Sequence, residues 1–173
     1  MLSLRSTWSS KKARLDGLVM AKLSSAVVLL WLSYGATALP AQVVRVPLPN
    51  SNFPISQGVW VGKTLYLSGM LDPAVGKGAT PDTKTQTVNA IQSIEKALAN
   101  QNLKLGDVVM MHVYLAGDPA KGGKMDFPGF MEGYTKFFGT KEQPNKPARS
   151  AMEVKALAAP DALVEIEVIA ARP

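Results

Sequence analysis

The sequence predicts an α+β fold in which one mixed sheet carries two helices on one face, in the element order ββαβαββ. The main observation is that, from residue 42 onward, the spacing of apolar residues alternates between two, typical of strands, and 3.6, typical of helices. The second is that these elements fill about 130 residues without an internal repeat. The third is that the chain is 47% apolar and 18% charged, which favours one packed core.

The first half of this domain predicts a hairpin followed by a helix. Residues 58–67 place two β-rich runs around Gly62-Lys63, a turn with glycine at its first central position. A loop rich in Gly, Pro and Asp follows at residues 72–82. Residues 83–100 then have helical spacing, with Asp82 or Thr83 as the N-cap. The apolar stripe of this helix contains Val88, Ile91, Ile94 or Glu95, and Leu98.

The second half predicts a strand, a helix and two further strands. Residues 107–115 read as a buried strand, and residues 126–138 read as a helix that Gly139 ends. Residues 150–157 and 163–170 read as the last two strands, turned at residues 159–161. The apolar side of the second helix consists of Phe127, Phe130, Met131, Tyr134, Phe137 and Phe138.

Residues 1–41 read as a leader that precedes one domain at residues 42–173. From Met20, a charged stretch, the apolar run 26–32 and the small-residue stretch 33–41 follow the order of a secretory signal peptide. The apolar run is shorter than the roughly 20 residues that span a bilayer, which favours cleavage over a membrane anchor. Residues 1–19 read as lying upstream of the true start, or as a mitochondrial-type presequence. We therefore expect export to a bacterial periplasm or medium, with a mitochondrial or cytoplasmic location as the alternative.

Most of the net positive charge of the chain lies in this leader. Residues 1–41 hold five of the 19 Lys and Arg residues and one of the 13 Asp and Glu residues, which leaves 14 and 12, or +2, for residues 42–173. The net charge of +6 is therefore poor support for nucleic acid or anionic lipid as a partner of the folded domain. The absence of cysteine excludes disulfides, thiolate metal sites and a cysteine nucleophile.

Generic catalytic motifs are missing from the sequence. It has no phosphate-binding glycine loop, no HExxH and no G-x-S-x-G. His112 is the single histidine and cannot build a metal cluster, so we expect no metal site. A histidine within an apolar strand is more commonly a hydrogen-bonded core or interface residue than a catalytic base.

An arginine stands out at the start of a predicted strand. In residues 144–150 (PNKPARS), two prolines restrict the backbone before Arg149 and fix the direction of its guanidinium. Such a planar set of donors suits a carboxylate, which it binds through two parallel hydrogen bonds. The alternative is a surface arginine that pairs with an acidic side chain.

Two acidic residues stand out in the last strand. In residues 164–168 (VEIEV), the two-residue period places Glu165 and Glu167 on one face and the three apolar residues on the other, toward the core. The two acids are either solvated, or they supply a water-activating carboxylate where that face lines an interface.

Four segments together resemble a known family. Residues 54–59 (PISQGV), 67–69 (LSG), 147–154 (PARSAMEV) and 164–170 (VEIEVIA) are similar, in order and spacing, to the Rid (reactive intermediate deaminase, YjgF) family. The resemblance covers nearly all of residues 43–172. It implies a chorismate-mutase-like fold, a homotrimer with three clefts between subunits, hydrolysis of 2-imino acids and enamines to 2-oxo acids and ammonia, and no metal or organic cofactor.

The resemblance also implies roles for individual residues. Arg149 matches the arginine that binds the substrate carboxylate, and Glu165 matches the carboxylate that orients the attacking water. Ser68 and Gly69 match the strand end that lines the pocket. The chain departs from the best-known deaminase branch at three further pocket positions, where Ile55 replaces tyrosine, Ala151 replaces cysteine and Met131 replaces asparagine. Residues 117–124 also include several extra residues, so a changed and more apolar pocket is expected.

These observations support two functional hypotheses. The first is an exported trimeric deaminase of the 2-iminobutanoate/2-iminopropanoate type, acting on a small-molecule substrate. The alternative is a non-catalytic trimer that binds small carboxylates or acts like a chaperone, which the lost tyrosine and the leader favour. Ribonuclease activity, attributed to relatives, is disfavoured by the charge of +2 and by the lack of a basic, aromatic-rich strip.

Overall fold

The computed structural model describes residues 41–78 and 81–172. The predicted signal peptide therefore lies outside the described residues. Within the described part of the chain, no helix is long and apolar enough to cross a membrane. Strands and helices follow in the order β1 (Val43–Pro47), β2 (Ser56–Val61), β3 (Thr64–Met70), α1 (Thr83–Ala99), β4 (Val108–Ala116), α2 (Phe127–Tyr134), β5 (Ala148–Val154) and β6 (Val164–Ala171).

The six strands form one mixed sheet in the order β1-β2-β3-β6-β4-β5. Strands β4 and β5 are parallel, and every other neighbouring pair is antiparallel. Parallel strands need a crossover connection, which α2 supplies between β4 and β5 and α1 supplies between β3 and β4. The α+β class and the mixed sheet with two helices are confirmed.

Two details of the sheet differ from the sequence prediction. Strand β1 precedes the predicted hairpin, and the sequence pattern missed it because an edge strand exposed on both faces has no alternation of burial. The two last strands are not neighbours, because β4 lies between β5 and β6. This arrangement leaves β5 at one edge of the sheet, with its outer side unpaired among the described residues.

The core lies between the helices and one face of the sheet, here called the helix face. Buried strand residues alternate with half-buried or exposed ones, as in β6, where every second residue is buried. The opposite face, here called the open face, carries the alternate residues, including His112, Tyr114, Glu165 and Glu167. Core residues of the helix face include Leu65, Leu67, Met111, Val113, Ile166 and Val168, with Ile91, Ile94 and Leu98 from α1.

Short polar contacts fix the start of each helix. Asp82 caps α1, where its Oδ1 accepts a hydrogen bond from the Thr85 N–H at 2.7 Å, and this bond lowers the pKa of the Asp82 carboxyl. Asp126 caps α2 by accepting from the Gly129 N–H at 3.0 Å. Helix α2 ends at Tyr134, four residues before the predicted end.

A glycine lets the two helices approach each other closely. A Cβ on Gly133 of α2 would lie 2.8 Å from Thr87 Cβ and 2.9 Å from the Lys84 carbonyl oxygen of α1. This close approach fixes α2 on the helix face beside β5. The aromatic side chains of α2 therefore lie against the start of β5, where Arg149 is located.

Candidate active site

Arg149 is the second residue of β5 and projects from the helix face. It pairs in register with Met111, a buried residue of that face, while the next residue, Ser150, pairs with His112 of the open face. The Arg149 Cζ lies 4.4 Å from the centroid of the Tyr134 ring and 5.1 Å from that of Phe130. The side chain is therefore half-buried against the aromatic side of α2.

The charge of this guanidinium has no acidic partner among the described residues. Its only hydrogen bond there is donated from Nη1 to the Met131 Sδ at 3.3 Å, and none of the ion pairs in the described part of the chain includes Arg149. The alternative in which Arg149 pairs with a surface acid thus finds no counterpart in the described residues. Burial raises the pKa of Tyr134, against an opposing effect of Arg149, so the phenol beside the guanidinium stays neutral.

The aromatic rings leave Arg149 well suited to bind an anion. They lie within about 5 Å of its Cζ and displace water from that side, whereas the N–H groups without a partner among the described residues can donate to an anion. A half-buried guanidinium with free donors binds a planar carboxylate more strongly than a fully solvated one does.

Glu165 lies on the open face of β6, opposite Tyr114 of β4. Its side chain is half-buried, and no described residue donates a hydrogen bond to its carboxylate. Burial raises the pKa of the Glu165 carboxyl, and the negative charge of Glu167 raises it further. Glu165 therefore binds a proton more readily than an ordinary glutamate and has room to contact a water molecule.

A bulge in β3 brings Ser68 and Gly69 next to Glu165. Leu67 pairs with Val168 and Met70 with Ile166, so Ser68 and Gly69 together oppose the single residue Glu167. A Cβ on Gly69 would overlap Glu165 Oε1 and would lie 2.7 Å from its Cδ. The glycine is therefore required for space, because its backbone is not in the left-handed region.

The remaining predicted pocket residues lie at two separate places. Ala151 pairs with Val113 on the helix face of β5, and Met131 on α2 contacts Arg149. Ile55 precedes β2 and is 48% exposed. It lies near the bulge in space, because the next residue, Ser56, accepts a hydrogen bond from the Ser68 hydroxyl through its carbonyl oxygen at 2.8 Å.

The structure thus divides the predicted site into two groups on opposite faces of the sheet. The arginine group consists of Arg149, Ala151 and Met131. The glutamate group consists of Glu165, Ser68 and Gly69, with Ile55 beside it. One copy of the chain does not bring Arg149 and Glu165 to a common small molecule.

The open face also holds polar contacts that the sequence reasoning did not assign. The His112 Nδ1 lies 2.7 Å from Glu167 Oε1, and the Tyr114 hydroxyl donates to the same oxygen at 3.0 Å. His112 is hydrogen-bonded as expected, but on the open face and not in the core. The two-residue spacing of His112 and Tyr114 within β4 could have placed both on one face of that strand, but not beside the glutamates of β6.

Other parts of the described structure do not contain the predicted residues. A cavity of about 850 Å³ lies at the far end of β5, between residues 116–123 and 153–163, and none of the residues carried over from the family lines it. Among residues 41–78 and 81–172, no group of three or more His, Asp or Glu side chains is arranged to hold a metal ion.

Comparisons with known proteins place this geometry in context. The family model described as endoribonuclease L-PSP matches residues 48–172. A RutC family protein of Saccharolobus solfataricus is 40% identical over 124 residues, which are 70% of this chain and 90% of that protein. A 2-iminobutanoate/2-iminopropanoate deaminase of Dermatophagoides farinae is 30% identical over 133 residues, 75% of this chain and 95% of that protein.

A solved structure agrees with the fold. The crystal structure of E. coli TdcF with bound serine superimposes with a TM-score of 0.59 at 27% identity. The match covers 78% of this chain and 99% of the other. The similarity to these proteins therefore extends over the whole domain that carries both residue groups.

Proposed function

The chain belongs to the endoribonuclease L-PSP family, the Rid or YjgF family, and from this membership we propose that it hydrolyses 2-imino acids and their enamine tautomers to 2-oxo acids and ammonia. The observation that carries the proposal is the half-buried Arg149 guanidinium, which has no acidic partner among the described residues. A 2-imino acid supplies a carboxylate for this cation, directly attached to the carbon that reacts.

The proposed reaction needs little beyond placement and proton transfer. The substrate carboxylate binds Arg149, and a water molecule contacts Glu165. The water oxygen bonds to the imine carbon as Glu165 takes a proton from the water, and the C=N electron pair moves to nitrogen. Glu165 returns that proton to the nitrogen, which gives a carbinolamine. Glu165 then transfers the hydroxyl proton to the nitrogen, and the C–N bond breaks as the C=O bond of the 2-oxo acid forms, with release of ammonia.

We propose that a second copy of the chain completes the site. The arginine group lies on the helix face beside the unpaired edge strand β5, and the glutamate group lies on the open face. A neighbouring copy whose glutamate group approaches this edge would bring the two groups to one cleft. The homotrimer implied by the family resemblance would contain three such clefts.

Two similar proteins are consistent with the proposed ligand. The Dermatophagoides farinae protein is named as a deaminase of 2-iminobutanoate and 2-iminopropanoate, and the E. coli TdcF crystal contains serine, an amino acid with a free carboxylate. In the present chain, Ile55, Met131 and Ala151 give the proposed cleft apolar walls. Imines derived from amino acids with apolar side chains are therefore the favoured substrates.

One observation favours the second candidate, a protein that binds small carboxylates without reaction: Arg149 and Glu165 lie on opposite faces of the sheet in one copy of the chain. A copy that presents Arg149 without a partner's Glu165 would bind the anion and leave it unchanged. An RNA substrate is less compatible with the open face, because Glu165 and Glu167 repel phosphate groups there.

The test is an ammonia-release assay on residues 42–173. Imines are generated in the reaction from small, branched and aromatic amino acids by an amino acid oxidase, and ammonia formation is followed with and without the protein. We expect faster ammonia release with at least one imine and no effect with RNA. Retention of 2-oxo acids or amino acids without any increase in ammonia release would support the binding protein and overturn the deaminase.

Gly69→Ala is expected to lower kcat/KM for imine hydrolysis by about tenfold, because the added methyl displaces the Glu165 carboxylate. The displaced group is the end of a flexible side chain, so the melting temperature should change little. Gly106→Ala is the matched control, since its Cβ would meet only Asn145 Nδ2 and Gln143 Oε1, at 3.3 and 3.5 Å. Equal activities of the two variants would contradict the placement of Glu165 in the reaction.

A further inference from the structure

His112 and Tyr114 of β4 bind one oxygen of Glu167 on the open face. His112 pairs in register with Glu167, and Tyr114 pairs with Glu165, two residues earlier on β6. The His112 ring nitrogen and the Tyr114 hydroxyl both approach Glu167 Oε1, at 2.7 and 3.0 Å. An oxygen that accepts hydrogen bonds from two donors is held in place.

Glu165 is the opposite case, although it lies on the same strand face only about 7 Å from Glu167. No described residue donates to its carboxylate, which occupies the room left by the absence of a side chain on Gly69. Two carboxylates in such different environments divide the work of charge and proton transfer between them. Glu167 is held by its two donors, whereas Glu165 has no donor among the described residues and has a pKa raised by burial, so Glu165 is the one suited to exchange protons.

We propose that His112 and Tyr114 fix Glu167 as an anion beside Glu165, and that Glu167 acts as a positioning residue which makes Glu165 a stronger acceptor of the proton from the attacking water. This inference rests on the proposed hydrolysis. Glu167 itself neither gains nor loses a proton in the reaction. The proton moves from water to Glu165 and then to the departing nitrogen.

The other groups on the open face leave this assignment intact. Strand β3 contributes Tyr66, and β5 contributes the uncharged Ser150 and Met152 opposite His112 and Tyr114. Arg45 of β1 shares the face but is three strands away from β6. The hydrogen bond to Glu167, together with burial and the charges of both glutamates, raises the pKa of Tyr114, so its hydroxyl keeps its proton and donates at neutral pH.

The test compares the pH dependence of kcat/KM for the wild type, Glu167→Gln and the control Glu95→Gln. Glu165 must be ionised to accept a proton, so activity falls as the pH drops through its raised pKa. Removal of the Glu167 charge lowers the pKa of Glu165, so the acid limb of the profile moves to lower pH and the plateau falls because the base is weaker. Glu95 is an exposed residue of α1, and its loss should leave the profile unchanged.

The conservative variant separates charge from packing. Glu167→Asp keeps the negative charge and should retain an acid limb closer to that of the wild type than Glu167→Gln does. A purely structural role of Glu167 predicts a lower melting temperature with the acid limb unmoved. An unmoved limb in Glu167→Gln would overturn the proposal.

A second measurement does not depend on activity. The carboxyl carbon of Glu165, labelled with ¹³C, is titrated by NMR in the wild type and in Glu167→Gln, and its midpoint should move to lower pH in the variant. If the wild type hydrolyses imines but neither the midpoint nor the acid limb moves, the role of Glu167 fails and the proposed function stands. If the wild type releases no ammonia, the proposed function fails and the catalytic role of Glu167 fails with it, while the titration still shows whether the two glutamates interact.

Discussion

Arg149→Ala is expected to lower kcat/KM for 2-imino acid hydrolysis by about 30-fold to 1000-fold. The substitution removes a charge-assisted, two-bond contact to the substrate carboxylate, which contributes on the order of 2 to 4 kcal/mol. Arg149→Lys retains the charge but not the planar pair of donors, so its kcat/KM should lie between those of the wild type and Arg149→Ala. Initial rates of ammonia release, per mole of folded protein, give the comparison.

The same substitution also removes the stacking of Arg149 on Tyr134 and Phe130, so stability must be measured alongside activity. A cation–π contact of this kind contributes about 0.5 to 2 kcal/mol. Arg172→Ala is the matched control, because the Arg172 Cζ lies 4.0 Å from the centroid of the Trp60 ring and no part of the proposed cleft includes it. Both variants should lose some thermal stability, and only Arg149→Ala should lose activity. Unchanged turnover in Arg149→Ala would overturn the assignment of Arg149.

An equimolar mixture of Arg149→Ala and Glu165→Gln, unfolded and refolded together, is expected to recover about a quarter of the wild-type activity. At subsaturating substrate, Arg149→Ala alone should be slower than the wild type by about 30-fold to 1000-fold. At saturating substrate, Glu165→Gln alone should be slower by about 100-fold. The two side chains lie on opposite faces of one chain. In the proposed homotrimer, each cleft would therefore take Arg149 from one copy and Glu165 from its neighbour.

The expected recovery follows from random assembly of trimers. About three quarters of the trimers contain both variants, and each of these has one cleft in which both side chains are intact among its three clefts. The control is a mixture of Arg149→Ala with Arg149→Met, in which no cleft contains an arginine and no activity should return. Absence of recovery in the first mixture, with refolding verified by circular dichroism, would contradict a site shared between copies.

Local sequence patterns determined much of the fold and the face on which the two glutamates lie. The alternation in residues 164–168 placed Glu165 and Glu167 on one face, and the structure has both on the open face of β6. The helical spacing in residues 83–100 placed Ile91, either Ile94 or Glu95, and Leu98 toward the core. In the structure Ile91, Ile94 and Leu98 are buried and Glu95 is exposed. These inferences succeeded because burial on one side of a strand or helix is repeated along the chain itself.

The relation between the two residue groups was decided only by the tertiary structure. Nothing near Arg149 in the sequence indicates that β5 pairs in register with β4 so that Arg149 shares the face of Met111, or that β6 pairs with β4 so that Glu165 lies on the other face. The contact of His112 and Tyr114 with Glu167 joins residues more than 50 positions apart. Strand order and register depend on how the two helices and the whole sheet pack together. A shift of one residue in the register of a strand would exchange the side chains on its two faces. A pattern confined to one segment therefore cannot specify strand order or register.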